Sequence, residues 1–242
     1  MQSSPIDWAS VEVLSFDCYG TLIDWENGIL ASLHAVLGAG PGHAAPDDAL
    51  LEAYARHEAR LEAGPWQPYR QVLTEALAAT VAERGQSVPA SVRTQVGGSV
   101  ADWPAFDDSV AALALLRKRF GLAVITNCDD DLFDFSDERL GRPFTWRITA
   151  QQVGSYKPSK RNFQFALQRI GLSPERIVHV AQSLYHDHVP AQAMGLKTVW
   201  VNRRHDRPGF GATPAASARP NLTVPDMATL AAGAVGTPKD TE

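Results

Sequence analysis

The chain has 242 residues, 45% of them hydrophobic and 20% charged, with a formal net charge of −5. That length admits one large domain, or a domain carrying a sizeable insertion, and the composition is that of an ordinary globular protein. The acidic balance argues against a nucleic-acid partner, and no apolar run is long enough to span a membrane.

In chain order, the opening MQSSPIDWASVEV has no basic region followed by an apolar stretch, so no secretory signal is expected. Residues 11–16 form a short apolar run that reads as a buried strand and delivers Asp17 to the turn Tyr19-Gly20-Thr21. From residue 25 to 103 no strand is evident. Residues 49–63 and 69–84 carry helical periodicity, and GAGPGHAAPDD (38–48) reads as a loop between helices. Strand-like runs then recur at 122–125, 177–181 and 198–201, alternating with helical patterns at 109–120, 160–170 and 190–194. This alternation predicts an α/β fold, a doubly wound parallel sheet of Rossmann-like type. The expected division is a core of residues 1–24 and 104–235, a helical cap of residues 25–103 inserted after the first strand, and a tail of residues 236–242. Ligands of such sheets bind beyond the carboxyl ends of the strands, so Asp17, Thr126-Asn127 and the segment after Val180 should converge on one crevice.

An aspartate at the end of a buried strand, faced by the N–H groups of the following turn, can be held ionised as a nucleophile. Lys157, between Tyr156 and a proline, is fixed where a loop enters a helix. Cys18 and Cys128 make no disulfide framework, which suits a reducing cytoplasm; they read as small buried residues at the ends of neighbouring strands. His186 and His188 flank Asp187, and their spacing without further ligands points to packing or supporting roles rather than a metal site.

The segments FDCYGTL, ITN, SYKPSKRNF and VAQSLYHD stand in the order and approximate spacing of the four motifs of the haloacid dehalogenase superfamily, and the chain resembles its (S)-2-haloacid dehalogenase (type II) branch. The resemblance implies that Asp17 attacks a halogen-bearing carbon and forms an ester, which water then hydrolyses with the help of Asp187 and Lys157. Lys157 would pair with Asp17, and Thr21 and Thr126 would present hydroxyls to the same carboxylate. Tyr19, Asn127, Ser183 and an arginine of the cap, Arg56 or Arg60, would form the substrate and halide site. The superfamily's phosphatases usually have a second aspartate where Tyr19 stands, and commonly an acid where Gln182 stands, five residues before Asp187. A phenol titrating near ~10 is no acid at neutral pH, whereas a departing halide needs no proton. No cofactor and no metal is therefore expected. The implied substrate is a small halogenated carboxylic acid, with no nucleic-acid or membrane partner and a homodimer left open. Phe163 and Leu184 stand where dehalogenase-like sequences often carry a tyrosine and an asparagine. The alternatives are a phosphatase of the same superfamily or a catalytically altered dehalogenase-like protein.

Overall fold

The computed structural model describes residues 5–38 and 46–236. Most of the loop expected at 38–48, and residues 237–242 of the expected tail, lie outside the described residues. Six parallel strands form one sheet: β1 (Val13–Phe16), β2 (Gly121–Thr126), β3 (Trp146–Thr149), β4 (Ile177–Ala181), β5 (Lys197–Val201) and β6 (Leu222–Val224), in the spatial order β3-β2-β1-β4-β5-β6. This is the doubly wound α/β arrangement, whose strand order reverses beside β1. Every residue of β1 is buried, as a central parallel strand covered on both faces requires.

The pleat of β1 divides the core. Leu14 and Phe16 pack with α5 (Ser109–Leu116) and α10 (Met227–Val235), while Val13 joins Phe163 and Ala166 of α8 (Lys160–Ile170) on the other side. The connections are completed by α6 (Asp130–Arg139), the short α7 (Ala150–Val153) and α9 (Val189–Ala193), the last preceded by a π-type turn at Leu184–His188.

Between β1 and β2 lie the helices α1 (Trp25–Leu37), α2 (Asp47–Glu62), α3 (Tyr69–Ala82) and α4 (Ala90–Gly98), then a 3-10 turn at Ser99–Asp102. Their apolar faces, including Ile29, Leu33, Leu51, Leu73 and Leu77, are continuous with the Leu14–Phe16 side of the core.

The sequence pattern missed β3 and β6. Both are short outer strands, WRIT and LTV, each with two residues that are not fully buried, so neither presents the apolar run that marked the central four. The helix expected over 109–120 stops at Leu116, where the chain turns through Arg117-Lys118-Arg119.

Helix α1 approaches Trp103 so closely that a Cβ on Gly28 would overlap the indole ring, which is itself 2% exposed and packed. Gly28→Ala is therefore expected to destabilise the fold by about 1–3 kcal/mol, the ordinary cost of overpacking, despite alanine's higher helix propensity. Urea unfolding of the two proteins checks this.

Candidate active site

Asp17 leaves the carboxyl end of β1, its N–H still donating to Val180 O at 3.0 Å. The chain then closes a tight turn in which Leu22 N and Ile23 N both donate to Cys18 O, at 2.7 and 3.1 Å. Gly20 permits that turn. Its φ is +89°, and a Cβ there would stand 2.8 Å from the Trp25 indole nitrogen. The turn returns Thr21 to its own strand end, where the hydroxyl donates to Asp17 Oδ2 at 2.6 Å and accepts from Gln182 N at 2.9 Å.

The other carboxylate oxygen belongs to Lys157. Its ammonium donates to Asp17 Oδ1 at 2.9 Å, Asp187 Oδ1 at 2.7 Å and Ile125 O at 2.8 Å, three acceptors for three protons. Asn127 positions this lysine by clamping its backbone, Oδ1 accepting from Lys157 N at 2.7 Å and Nδ2 donating to Lys157 O at 3.0 Å. Behind Asp187, His179 Nε2 donates to Oδ1 at 3.0 Å, and His179 Nδ1 shares a 2.9 Å hydrogen bond with the Ser15 hydroxyl. Asp187 Oδ2 is buried without a protein partner.

Burial would depress the Lys157 ammonium, but Asp17 and Asp187 overcome it and hold the lysine above its usual range. The two carboxylates separate. Burial alone would raise Asp187, yet Lys157 and His179 hold it well below the usual carboxylate range. Burial, with Asp187 adding like charge, raises Asp17 against the opposing pull of Lys157 and Thr21.

These groups form the floor of a cavity of about 30 Å³. Tyr19, Trp25, Asn127 and Ser183 also line it. The opposite wall comes from α2 and α3: Glu58, Glu62 and Tyr69, with His186 of the π-type turn beside them. Glu58 is 3% exposed, and its Oε1 accepts hydroxyls from Tyr54 at 2.9 Å and Tyr69 at 3.1 Å. Glu62 Oε1 accepts from Asn127 Nδ2 at 2.9 Å, and Glu62 Oε2 lies 3.4 Å from His186 Nε2. Burial would lower His186, but Glu62 raises it above the ordinary histidine value.

Of the residues expected from the sequence, Asp17, Thr21, Lys157 and Asp187 come together as one hydrogen-bonded group, with Asn127, Tyr19 and Ser183 around the same cavity. Thr126 does not join them: its hydroxyl is buried without a partner and makes no hydrogen bond to Asp17. Neither Arg56 nor Arg60 reaches the cavity. Each stands two residues from the cavity-facing Glu58, about 200° around a helix of 3.6 residues per turn, so both project from the opposite side. Both are exposed, and Arg56 pairs with Glu83. Tyr19 presents its ring, while its hydroxyl is engaged with Ser136 at 3.1 Å and Cys128 at 3.3 Å.

Glu58, Glu62 and His179 were not identified from the sequence. A signal existed for the first: Leu51, Ala55 and Glu58 follow helical spacing on the buried face of α2, so an acid stands where an apolar residue belongs. His179 sits mid-strand, and only the pairing of β1 with β4 sets it beside Ser15.

Residues 11–193 match the family model described as haloacid dehalogenase-like hydrolase. The chain is 25% identical over 194 residues to (S)-2-haloacid dehalogenase 1 of Pseudomonas sp. (strain CBS-3), covering 78% of this chain and 83% of the relative. It is 24% identical over 215 residues to (S)-2-haloacid dehalogenase 4A of Burkholderia cepacia, covering 85% and 89%. Among solved structures, the L-2-haloacid dehalogenase of Xanthobacter autotrophicus with chloropropionic acid covalently bound superposes with a TM-score of 0.75 at 18% identity, covering 91% of this chain and 97% of the other.

Removing the shared cation exposes its cost. Lys157→Ala is expected to destabilise the protein at pH 7 by about 3–5 kcal/mol, because two buried carboxylates are left facing each other. One of them then has a raised folded-state pKa, so the deficit should shrink as pH falls toward the ordinary carboxylate range and grow again as pH rises. Urea titrations between pH 4 and 8 measure this. Arg56→Ala and Arg60→Ala should each leave turnover within about threefold of the unmodified enzyme, as exposed charges away from the cavity.

Proposed function

Because the chain belongs to the haloacid dehalogenase-like hydrolase family, we propose that it is a hydrolytic dehalogenase of small 2-haloalkanoic acids, acting through an ester on Asp17. The observation that carries this is the Asp17 carboxylate itself, with one oxygen on Lys157, the other on Thr21, and both facing a cavity that also holds an unpartnered oxygen of Asp187. The curated relatives are named for this activity.

Asp17 attacks the carbon bearing the halogen, and the carbon–halogen electron pair leaves with the halide. No proton is needed, which agrees with Tyr19, whose phenol is held well above its usual range by burial and whose hydroxyl is tied to Ser136 and Cys128. Water hydrogen-bonded to Asp187 Oδ2 then attacks the ester carbonyl carbon. Whichever carboxylate oxygen carries the ester, the other remains against Lys157 or Thr21, a donor for the oxyanion as it forms. Collapse releases the 2-hydroxy acid, one proton of the water passing to its alkoxide through Asp187 and the other leaving to solvent, and returns Asp17 as a carboxylate that holds one oxygen from water. Lys157 positions and neutralises; with its three protons committed it donates none to the substrate.

Residues 25–103 act in this reading as a cap over a core of residues 1–24 and 104–235, excluding water during the displacement. The reading includes a cytoplasmic location, where Cys18 and Cys128 persist as buried thiols, no nucleic-acid partner, and a homodimer as the open assembly state.

In a single turnover of 2-chloropropionate in oxygen-18 water, with enzyme in excess, halide should be released and the label should enter Asp17, detected by mass spectrometry of the peptide containing FDCYGTL. Asp17→Asn should release no halide, since a neutral amide is a far poorer nucleophile. Label in the product beside unlabelled Asp17 would demote Asp17 to a general base.

A further inference from the structure

We infer that Glu58 of α2 anchors the carboxylate of the substrate, donating a hydrogen bond to it as a carboxylic acid. The inference rests on the dehalogenase reading of this cavity and names the group that selects its substrate. The need for such a group follows from what the cavity lacks and from what is already spent. Among the described residues no arginine lines it. All three protons of Lys157 are committed, Asn127 Nδ2 is divided between Glu62 and Lys157 O, and the Tyr19 hydroxyl is held by Ser136 and Cys128. His186 Nε2 lies 3.4 Å from Glu62 Oε2 with no hydrogen bond between them, so any charge it carries faces that carboxylate. An anion entering beside Asp17 therefore finds no cation that lacks a carboxylate already beside it, and a neutral donor is the partner left for its carboxylate.

Glu58 has the geometry for that. The hydroxyls of Tyr54 and Tyr69 converge on the same oxygen, Oε1, which leaves Oε2 to carry a proton. The carboxyl lines the cavity on the wall opposite Asp17 and is otherwise shut from solvent. Burial, and then the charge of Glu62, push Glu58 up to about 8, against His186 and the two tyrosine hydroxyls, which pull the other way. The titratable groups facing it are thus Tyr54 and Glu62 on its own helix, Tyr69 on α3 and His186 on the turn after β4, with Asp17, Lys157 and Asp187 across the cavity. Both tyrosines are themselves held well above the usual phenol range by burial, so they stay protonated donors throughout.

The sign follows. Below about pH 8 Glu58 is neutral and accepts an anionic neighbour. Above it, the donor is lost and a second negative charge faces the substrate's own. Because the substrate anion favours the protonated acid, its binding above that pH draws in a proton.

The test is the pH dependence of KM and kcat for 2-chloropropionate, followed by halide release, in the unmodified enzyme, Glu58→Gln and Glu58→Ala. The KM of the unmodified enzyme should rise about tenfold per pH unit beyond the Glu58 midpoint while kcat changes little, since Glu58 does not touch the reacting carbon. Glu58→Gln retains an N–H donor and should show a KM flat in pH. Glu58→Ala should show a raised KM, by about tenfold or more, already at pH 7. Calorimetry of propionate binding to the unmodified enzyme at pH 8.5, in buffers of different ionisation enthalpy, should show proton uptake that Glu58→Gln abolishes. A KM unchanged between pH 7 and 9.5, a Glu58→Gln profile that follows the unmodified enzyme, or a lower KM for 2-chloropropionamide than for the acid would each overturn the assignment while halide release still upheld the dehalogenase reading. No halide from any haloacid would overturn that reading, and this assignment with it.

Discussion

The structure around the site depends on one buried ammonium group. Lys157 is 1% exposed, and a lone cation taken that far from water would cost several kcal/mol even after relaxation. It is retained because three strand ends supply its acceptors: Asp17 after β1, Ile125 near the end of β2, and Asp187 beyond β4. Those strands are adjacent only because the order β2-β1-β4 places β1 at the centre. The topological crossover and the cation are therefore two aspects of one constraint. Without the crossover the carboxylates would not meet, and without the lysine they could not both stay ionised at this separation.

The cation also divides the labour between its two anions. His179 assists Lys157 at Asp187 and is itself held by Ser15, its cross-strand neighbour on β1. Asp187 is thereby fixed as a carboxylate with one oxygen left for a solvent molecule. Asp17 has no such reinforcement beyond Thr21, so its charge is the less stabilised of the two, which suits the nucleophile's role proposed for it. The residues after β2 extend this order across to the helical segment. Asn127 holds both the Lys157 backbone and Glu62 of α2, and the Asp129 carboxylate accepts the Tyr69 and Arg70 N–H groups that open α3, at 2.8 and 3.0 Å. Pro68 gives α3 no side-chain cap of its own, so the core supplies one.

How much of this could be read from the sequence depends on whether a residue's role is local. The four central strands are short buried apolar runs and announce themselves, and α8 runs over the span its periodicity gives. Asp17, Lys157 and Asp187 could be found because each sits in a motif whose spacing is preserved. The residues of α2 and α3 have no such motif. Seeking the halide-binding arginine that the resemblance implies led to Arg56 and Arg60, but charge type says nothing about azimuth, and on α2 both arginines lie away from the cavity while Glu58 lies toward it. Thr126 fails for a similar reason: adjacency to Asn127 places it at the right strand end, but its hydroxyl is buried there without a partner. The outer strands β3 and β6 were hidden because half-exposed edges lack the apolar contrast that the pattern relies on.

Tyr19, the residue that first set this motif apart from its phosphatase counterparts, draws these strands together. Its ring packs edge-on to Trp103 at 5.5 Å and stacks with Tyr69 at 6.5 Å, so it belongs as much to the helical segment as to the turn that carries it. Its hydroxyl is turned away to Ser136 and Cys128. What it offers the cavity is a ring, which can lie against a polarisable leaving group without competing for the carboxylate's donors. Tyr69 then continues the same wall and ends it in a hydroxyl on Glu58. A line of aromatic contact thus runs from the turn after Asp17 to the acid on α2, so a shift of α2 and α3 would alter both ends of the cavity at once.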